Sequence, residues 1–451
     1  MGNMKDTQRS EIVFTKQQRI AQIARQHPKE RLTALHHYLD IPWLEEAFQR
    51  LRKDSAPGVD GQTVADYGKH LEINLPDLLR RAKSGSFKAP PVKRVHIPKG
   101  EDTTETRPIG IPATESKVLE RAVVMILEPI YEEEFHNFSF GFRPKRSCHQ
   151  ALAAFWSQAS GLGIRWVLEV DIRKYFDSVN RSKLMEIVGK RIGDGVILRL
   201  ISKWLHAGVM EGGVVHYPEE GTPQGGVVSP ILSNIYLHEV FDCWFAEVVK
   251  ERMVGQVFAV RYADDMVLGF THQQDAEKIR RVLFKRFEKY GLSLHPEKTR
   301  LVPFGRPGKP GPEGNLPQEP GSFDFLGFTH YWGKSLKGNW VIKRKTAAKR
   351  LRRTLHRINA WCRAHRHEGP LEQFVKLVRK LEGHYAYFGL TGNGLCLEQV
   401  RRGVIQLWRK WLARRSRTHG GMTWKRFGQL LREIFVFPRP RIVHSIYGAK
   451  P

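Results

Sequence analysis

Two apolar, strand-forming runs enclose a pair of adjacent acids near the middle of the chain. The segment from Phe258 to Gly269 reads Phe-Ala-Val-Arg-Tyr-Ala-Asp-Asp-Met-Val-Leu-Gly, with Asp264 and Asp265 at its centre. Strand formers on both sides of turn-forming acids predict a β-hairpin with these carboxylates at its tip. A second strand-like run, Trp166–Val170, ends in Asp171. We therefore expect carboxylates from different strands to meet at one edge of a sheet.

Carboxylates that meet in this way repel each other unless cations neutralise them, which is the requirement of a two-metal site. Mg²⁺ suits such a site, because it needs only one or two carboxylates plus substrate phosphates. An Asp-Asp pair is also common in turns without a catalytic role, and the pair alone favours that interpretation. The apolar surroundings and the second strand with Asp171 shift the balance towards catalysis.

The charge of the chain is concentrated at one end. The 451 residues contain 74 Lys+Arg and 46 Asp+Glu, a net charge of +28, and residues 331–451 hold 28 basic against 5 acidic residues. Such an excess on a foldable protein favours nucleic acid as partner, with an anionic membrane surface as the alternative. In residues 303–322, 11 of 20 are Pro or Gly, which predicts a long loop near a domain boundary.

The apolar pattern predicts mixed α/β structure before this loop and an all-helical part after it. The predicted elements are helices over 41–53, 115–135, 345–365 and 398–415, and strands over 166–170 and 257–260. The cations of the last two helices are candidate nucleic-acid contacts, although they also fit a solvated helix face. These candidates are Arg350, Arg353, Arg357, Arg409, Lys410, Arg414 and Arg415. The tryptophans among these cations are compatible with base stacking, but tryptophans at helical spacing more often belong to a hydrophobic core.

Several classes of protein lack support in the sequence. The four cysteines never form a C-x-x-C pair, so neither a disulfide framework nor a zinc knuckle is indicated. No apolar run reaches the length of a membrane span, and the N-terminus is polar. The phosphate-loop, H-E-x-x-H and G-x-S-x-G motifs are missing. We therefore expect a soluble protein of a reducing cytosol.

The acidic motifs and the sequence between them resemble the ordered core motifs of reverse transcriptases. The resemblance rests on Tyr-x-Asp-Asp from Tyr262, on Asp171 followed five residues later by Phe176, and on Gly-Thr-Pro-Gln-Gly-Gly from Gly221. Further motifs, covering roughly residues 40 to 330, resemble the group II intron-encoded reverse transcriptase/maturases. They are Ala56-Pro-Gly-Val-Asp-Gly61, Val95-His-Ile-Pro-Lys99, Arg107-Pro-Ile-Gly-Ile-Pro112, Gly141-Phe-Arg-Pro144, Gly291-Leu-Ser-Leu-His-Pro-Glu-Lys298 and Phe325-Leu-Gly-Phe328.

The resemblance implies a polymerase centre with two Mg²⁺ ions. Asp171 and Asp264 would bind the ions together with the backbone carbonyl of Ile172, and Asp265 would support the site as the third catalytic carboxylate. One ion would activate the primer 3′-hydroxyl, and the other would hold the triphosphate and the leaving pyrophosphate.

The resemblance also implies a set of nucleotide-binding residues. Lys99 and Arg107 match residues that grip the triphosphate, a role that suits a Lys point charge and an Arg fork. Phe176 matches a steric gate that excludes a ribose 2′-hydroxyl, and otherwise it is a core aromatic residue. Gln224 matches a loop that contacts nucleotide and template, and Lys298 matches a motif residue near the active site.

The implied fold is α+β and of the right-hand polymerase type. Fingers and a palm, whose antiparallel sheet carries the Tyr-x-Asp-Asp hairpin, are followed by an α-helical thumb or maturase X domain. The segment from Gly383 to Gly389 carries the weaker thumb signature. The implied parts are an N-terminal extension 1–39, fingers 40–165, palm 166–330 with the loop 303–322, thumb 331–420 and a basic C-terminal extension 421–451.

The implied function is that of an RNA-directed DNA polymerase that also acts as maturase in the splicing and mobility of its group II intron. It would lack the HNH endonuclease domain of many family members. The implied partners are group II intron RNA, an RNA template with DNA primer, dNTPs and target DNA, with no membrane. The implied location is the bacterial cytoplasm, with nucleoid association during integration. Two alternatives stay open: a domesticated reverse transcriptase in host defence or diversification, and a non-catalytic RNA-binding splicing maturase.

Overall fold

A computed structural model describes residues 2–98, 106–217, 221, 225–309, 319–415 and 422–446, with side chains from residue 7 onwards. The α-helices are α1 (Gly2–Gln26), α2 (Ile41–Gln49), α3 (Val64–Gly68), α4 (Leu71–Ser84), α5 (Thr114–Tyr131), α6 (Cys148–Leu162), α7 (Tyr175–Ser178), α8 (Arg181–Arg191), α9 (Gly195–Leu205), α10 (Ser229–Leu237), α11 (Gln273–Lys289), α12 (Ala348–Ala364), α13 (Pro370–Phe388), α14 (Gly394–Leu412) and α15 (Trp424–Glu433). The strands are β1 (Val92–Pro98), β2 (Thr106–Ile111), β3 (Trp166–Val170), β4 (Val209–Glu211), β5 (Val214–His216), β6 (Val257–Tyr262), β7 (Asp265–Phe270), β8 (Leu301–Pro303), β9 (Phe323–Phe325), β10 (Phe328–Lys334) and β11 (Trp340–Thr346).

One four-stranded antiparallel sheet brings the predicted acids together. Its strand order is β6-β7-β3-β8, and the β6–β7 hairpin pairs Tyr262 with Asp265 across its turn. In the neighbouring ladder Val170 of β3 lies opposite Met266 of β7. Because β3 and β7 run antiparallel, the end of β3 and the start of β7 lie at the same edge of the sheet. The hairpin and the strand Trp166–Val170 predicted from the sequence are thus confirmed.

The described residues form two further sheets. The first has the order β2-β1-β4-β5 and combines an antiparallel β1–β2 hairpin with a parallel β1–β4 pair. The second has the order β11-β10-β9 and is antiparallel throughout. The fold class is therefore α+β with mainly antiparallel sheets.

The expectation of an all-helical part after residue 331 is wrong at its beginning. Strands β10 and β11 form a seven-residue antiparallel ladder that extends to Thr346. Along β11 the side chains of Ile342, Arg344 and Thr346 are buried in alternation, which is the period of a strand packed on one face. The cations among them hid this period, and the helical prediction began three residues too early, at 345 instead of 348. The predicted helices at 41–53, 115–135, 345–365 and 398–415 correspond to α2, α5, α12 and α14.

The apolar residues form three clusters. The largest surrounds α5, whose side chains are buried on nearly all sides. The second lies between α6 and two of the sheets, and the third joins α12, α13, α14 and α15. Trp408 and Trp411 belong to this third core, whereas Trp424 is 55% exposed. Among the helices of the described residues, none combines the length and the apolar character that crossing a membrane requires.

One buried histidine makes the stability of the second cluster sensitive to pH. His330 on β10 has no exposed surface and stacks on Phe323 with ring centroids 5.0 Å apart. Neither ring nitrogen has a hydrogen-bond partner among the described residues. Burial first, and then the nearby charge of Arg344, lower the pKa of His330 to about 3.

We expect His330→Leu to reduce the loss of stability at acidic pH. The folded state keeps His330 neutral, so below the ordinary histidine pKa only the unfolded chain takes up this proton, and stability falls as the pH falls. From pH 7.5 to 5 this group should remove about 2 kcal/mol of unfolding free energy. Urea unfolding of wild type and variant at both pH values measures the difference. His206→Leu, at an exposed histidine, is the control, and an unchanged pH dependence in His330→Leu would contradict the assignment.

Candidate active site

A buried arginine holds the turn that carries the paired acids. Arg261, the fifth residue of β6, is fully buried and donates to both carboxylate oxygens of Asp242, with Nε 2.8 Å from Oδ1. Its Nη1 donates to Asn234 Oδ1 at 3.0 Å and to the carbonyl oxygen of Ala263 at 3.1 Å. Ala263 has φ +56°, in the left-handed region that few L-residues adopt. The hydrogen bond from Arg261 therefore stabilises the turn at its strained residue.

The backbone at Gly141 packs against the turn and is itself held by Asn234. Asn234 of α10 donates from Nδ2 to the carbonyl oxygen of Gly141 at 2.6 Å. Gly141 lies so close to the turn that a Cβ atom on it would overlap the backbone nitrogen of Ala263. The close approach of these two backbone segments thus requires glycine at position 141.

The third acid is held by its backbone. Asp171 follows β3 directly, its amide donates to Thr299 Oγ1 at 3.4 Å, and its carbonyl accepts from the amide of His295 at 2.8 Å. Its carboxylate is left to face Lys298, whose Nζ lies 3.6 Å from Oδ2. The next residue, Ile172, has a buried side chain and forms an antiparallel bridge with Leu294.

The charge of Asp171 adds to the proton affinity of the two paired acids. The pKa of Asp264 is raised by burial and then by the charge of Asp171. The pKa of Asp265 is raised to about 6 by burial, then by Asp264 and Asp171, although Arg350 and Arg107 lower it in part. This excess of negative charge is the environment that a divalent cation neutralises. The ligand oxygens of the three aspartates do not all lie within 4.8 Å of one another.

Of the residues predicted to bind the nucleotide, Arg107, Phe176 and Lys298 lie within the described part of the chain. Arg107 on β2 is exposed, and its charge acts on Asp264 and Asp265. Phe176 in α7 is half-buried, with its ring 5.4 Å from that of Tyr175. Two of the predicted residues, Lys99 and Gln224, lie outside the described residues.

The glycines of the Gly-Thr-Pro-Gln-Gly-Gly motif connect Phe176 with β2. Gly221 has φ +91°, and a Cβ atom there would lie 2.9 Å from the carbonyl oxygen of Asp177, the residue after Phe176. Gly225 has φ +118°, and a Cβ atom there would overlap the carbonyl oxygen of Gly110 on β2. Both ends of this motif therefore approach backbone so closely that side chains are excluded.

The predicted nucleic-acid contacts separate into two groups. Arg350, Arg353 and Arg357, here called the α12 arginines, line a cavity of about 290 Å³ together with Tyr387 and Phe388. The charge of Arg350 acts on Asp265, so this cavity adjoins the acids.

The second group lies at the end of α14, and its side chains make hydrogen bonds and cation–π contacts within the protein. Arg409 donates to the carbonyl of Met422 at 2.7 Å and covers the ring of Trp424 at 4.0 Å. Arg415 donates to the carbonyl of Glu368. The remaining cations, Lys410 and Arg414, lie over the ring of Trp411.

A buried glutamate escaped the sequence analysis. Glu120 in α5 is 3% exposed and accepts from the amide of Val228, just after the glycine motif, at 3.1 Å. Burial raises the pKa of Glu120 to about 7, although hydrogen bonds from Val228 and Val227 oppose the shift. The signal that could have indicated Glu120 is an acidic residue within an apolar helix. Arg261 offers a similar signal, a charge inside an apolar strand, whereas the local sequence offers none for Asn234.

We expect Gly141→Ala to destabilise the protein, because the new methyl group must displace the Ala263 turn. Overpacking of this kind costs about 1–3 kcal/mol. Gly161→Ala is the matched control: Gly161 lies in α6, where a Cβ atom meets nothing within 4 Å, and alanine should be neutral or slightly stabilising there. Thermal unfolding of both variants measures the difference. Equal melting temperatures for Gly141→Ala and wild type would show that the turn is not tightly confined.

Comparisons with known proteins agree with this geometry. Residues 97–330 match the family model described as reverse transcriptase (RNA-dependent DNA polymerase), and this range contains all three acids. Protein YkfC of Escherichia coli (strain K12) is 35% identical over 328 residues, which are 64% of this chain and 84% of that protein.

Other relatives carry names that refer to introns. The group II intron-encoded protein LtrA of Lactococcus lactis subsp. cremoris is 36% identical over 226 residues, 49% of this chain and 37% of that protein. Nuclear intron maturase 3, mitochondrial, of Arabidopsis thaliana is 28% identical over 181 residues, 35% of this chain and 24% of that protein. The match thus spans less than half the length of these two relatives. The chain belongs to the reverse transcriptase (RNA-dependent DNA polymerase) family, and the resemblance to its group II intron-encoded members that the motifs indicated is confirmed.

Proposed function

We propose that this chain is an RNA-directed DNA polymerase that extends a DNA primer on an RNA template with dNTPs. The observation that supports this most directly is the edge of the β6-β7-β3-β8 sheet, where the charge of Asp171 acts on Asp264 and Asp265 and the charge of Arg107 acts on the same two acids. Phosphoryl transfer depends on positioning and on charge neutralisation more than on covalent chemistry. The acids at this edge would position divalent ions, and those ions would neutralise the charge.

The residues at this edge fit divalent cations, because their donors are hard oxygens and because burial, and then the neighbouring carboxylates, raise the pKa values of Asp264 and Asp265. Asp171, Asp264 and the carbonyl of Ile172 would hold two Mg²⁺ ions, and Asp265 would support them. When bound, the ions would supply activation of the primer hydroxyl and neutralisation of the triphosphate and leaving pyrophosphate.

The other residues of the site bind and orient the nucleotide in this proposal. Arg107, with Lys99, grips the triphosphate through charge-assisted hydrogen bonds. Phe176 packs under the sugar and leaves no room for a 2′-hydroxyl. Gln224 contacts nucleotide and template from the glycine motif, and Lys298 keeps Asp171 oriented before the metal binds.

We further propose the right-hand arrangement for the whole chain. Fingers would comprise residues 40–165, palm 166–330, thumb 331–420, and extensions 1–39 and 421–451. The position of the α12 arginines beside Asp265 supports a thumb that grips template and primer next to the chemistry.

We expect Asp264→Ala to abolish primer extension. Removal of one metal-binding carboxylate should lower the rate of dNTP incorporation on an RNA template by at least about 100-fold, since several kcal/mol of transition-state stabilisation depend on it. Extension of a labelled DNA primer in Mg²⁺ measures this rate. Asp54→Ala removes an exposed aspartate that pairs with Arg52 and should extend as wild type does. Full synthesis by Asp264→Ala, or none by wild type, would refute the polymerase proposal.

We also propose that the protein is the maturase of its own group II intron. The intron-related names of its relatives support this, and so does the cationic cavity beside the site. Intron RNA and target DNA would then be its partners, and the bacterial nucleoid would be its place of action during integration.

We expect splicing and polymerisation to be separable. Asp264→Ala should promote intron excision as wild type does, because RNA binding does not use the acids. Changing the α12 arginines to Gln should weaken RNA binding and reduce the slope of log affinity against log salt by about 2 to 3. A filter-binding salt titration and a splicing assay measure both effects. The controls are Arg352→Gln and Arg363→Gln, at exposed positions of α12 outside the cavity. A splicing defect in Asp264→Ala equal to its polymerase defect would disprove separability.

A further inference from the structure

We propose that His136, His238 and Cys243 form a binding site for a zinc-class divalent cation next to the catalytic turn. Within the described residues this is the group of three His, Cys, Asp or Glu side chains whose ligand atoms all lie within 4.8 Å of one another. Each of the three is half-buried, so an ion can reach them from solvent. Imidazole and thiolate are borderline-soft donors that select Zn²⁺ or Co²⁺ over Mg²⁺.

The backbone places two of the ligands together. After α10 the chain forms a π-helical turn, His238–Asp242, in which the amide of Cys243 donates to the carbonyl of His238. This wider turn aligns residues five apart, and Cys243 Sγ lies 3.3 Å from His238 Nε2. Local π-helical turns of this kind are frequent at functional sites. The distance between Sγ and Nε2 is close to the ligand separation that tetrahedral Zn²⁺ requires, with bonds of about 2.0–2.3 Å.

The third ligand comes from a separate, well-anchored turn. His136 lies after α5, and its carbonyl accepts from Nη1 of the buried Arg143 at 2.8 Å. Its ring stacks on Phe138, with centroids 5.2 Å apart and planes 4° from parallel. The rings of His136 and His238 are 5.4 Å apart between centroids. Three protein ligands would leave a fourth position for water.

A carboxylate stands behind one of the histidines. His238 Nδ1 lies 3.6 Å from Oδ2 of the buried Asp242, and this nitrogen has no hydrogen-bond partner among the described residues. Since Nε2 faces Cys243, a proton on Nδ1 would turn towards Asp242 and leave the Nε2 lone pair free for a metal. Carboxylate–histidine–metal relays of this form orient the ring and raise its basicity as a ligand.

Acidic and basic side chains nearly balance around the three ligands. Burial raises the pKa of Cys243 to about 12, and four carboxylates add to the shift: Asp242, Glu247, Glu239 and Glu134. Three of these carboxylates are paired with cations, Asp242 with Arg261, Glu239 with Lys190 and Glu134 with Arg191, and the charge of Lys250 acts on His136. The proposed site therefore depends on the geometry of its donor atoms and not on an excess of negative charge. On binding, the Cys243 S–H bond breaks, a metal–sulfur bond forms, and one proton is released to solvent.

The site also adjoins the catalytic turn. The segment that follows His136 pairs with β6: the amide of Phe140 donates to the carbonyl of Arg261, and the amide of Arg261 to the carbonyl of Phe138, both at 2.8 Å. A bound ion would therefore tie the π-helical turn to the strand that leads into the paired acids.

Cobalt binding tests the proposal directly. Titration of the full chain with Co²⁺ should produce a near-ultraviolet thiolate-to-cobalt band that saturates at one ion per chain. Cys243→Ser should lose this band, and His136→Gln should weaken Co²⁺ binding at least about 10-fold. Cys396→Ser, at a half-buried cysteine on α14, and Asp264→Ala should keep the band. A band that survives in Cys243→Ser would overturn the proposal, as would its absence from wild type.

Thiol alkylation tests the same site without any variant. Equimolar Zn²⁺ should slow alkylation of Cys243 in the wild-type protein at least about 10-fold, as read by peptide mass spectrometry, because the metal occupies the sulfur. Cys396 in the same sample is the internal control and should react at an unchanged rate. Equal rates for Cys243 with and without Zn²⁺ would exclude the site.

Discussion

The ion pair between Arg261 and Asp242 is the interaction on which the candidate site depends. Both side chains are fully buried, and the removal of one partner from such a pair typically costs 3–5 kcal/mol, because the other charge is left unpaired. The fork of Arg261 also reaches Asn234 and the carbonyl of Ala263. One guanidinium thus fixes the backbone of the turn in a conformation that alanine alone would not favour, and the positions of Asp264 and Asp265 follow from it.

The acids remain electrostatically unsatisfied in a protein with a large excess of cations. Most of the excess positive charge lies after residue 331. Some of these cations make hydrogen bonds within the protein, as Arg409 and Arg415 do. Arg107 and Arg350 lower the pKa of Asp265 only in part. In the function that we propose, the negative charge at this sheet edge would suit metal ions, and the surrounding cations would suit phosphates.

The sequence predicted those parts of the site that depend on local pattern. The strand-forming run over Trp166–Val170 and the turn-forming acids around Asp264 were sufficient to predict the strands and the acids at their ends. The end of a strand can be recognised from neighbouring residues alone. Strand β11 was missed because Lys343, Arg344 and Lys345 interrupt its apolar period. The support of the turn was missed for another reason: Asn234 and Gly141 are 93 residues apart, and nothing in either local sequence indicates that they meet. Glu120 and Val228, 108 residues apart, pose the same difficulty.

Asp242 links the two sites that the structure brings together. One of its oxygens accepts from Arg261 Nε, and the other faces both Arg261 Nη2 and His238 Nδ1. A metal on Nε2 of His238 would polarise the Nδ1 proton towards Asp242, and that carboxylate would then be held from two sides. Arg261 donates both to Asp242 and to the carbonyl oxygen of Ala263. A shift of Asp242 would therefore also move the turn. The cation site that we propose would thus restrict the movement of the residue that anchors the turn with Asp264 and Asp265.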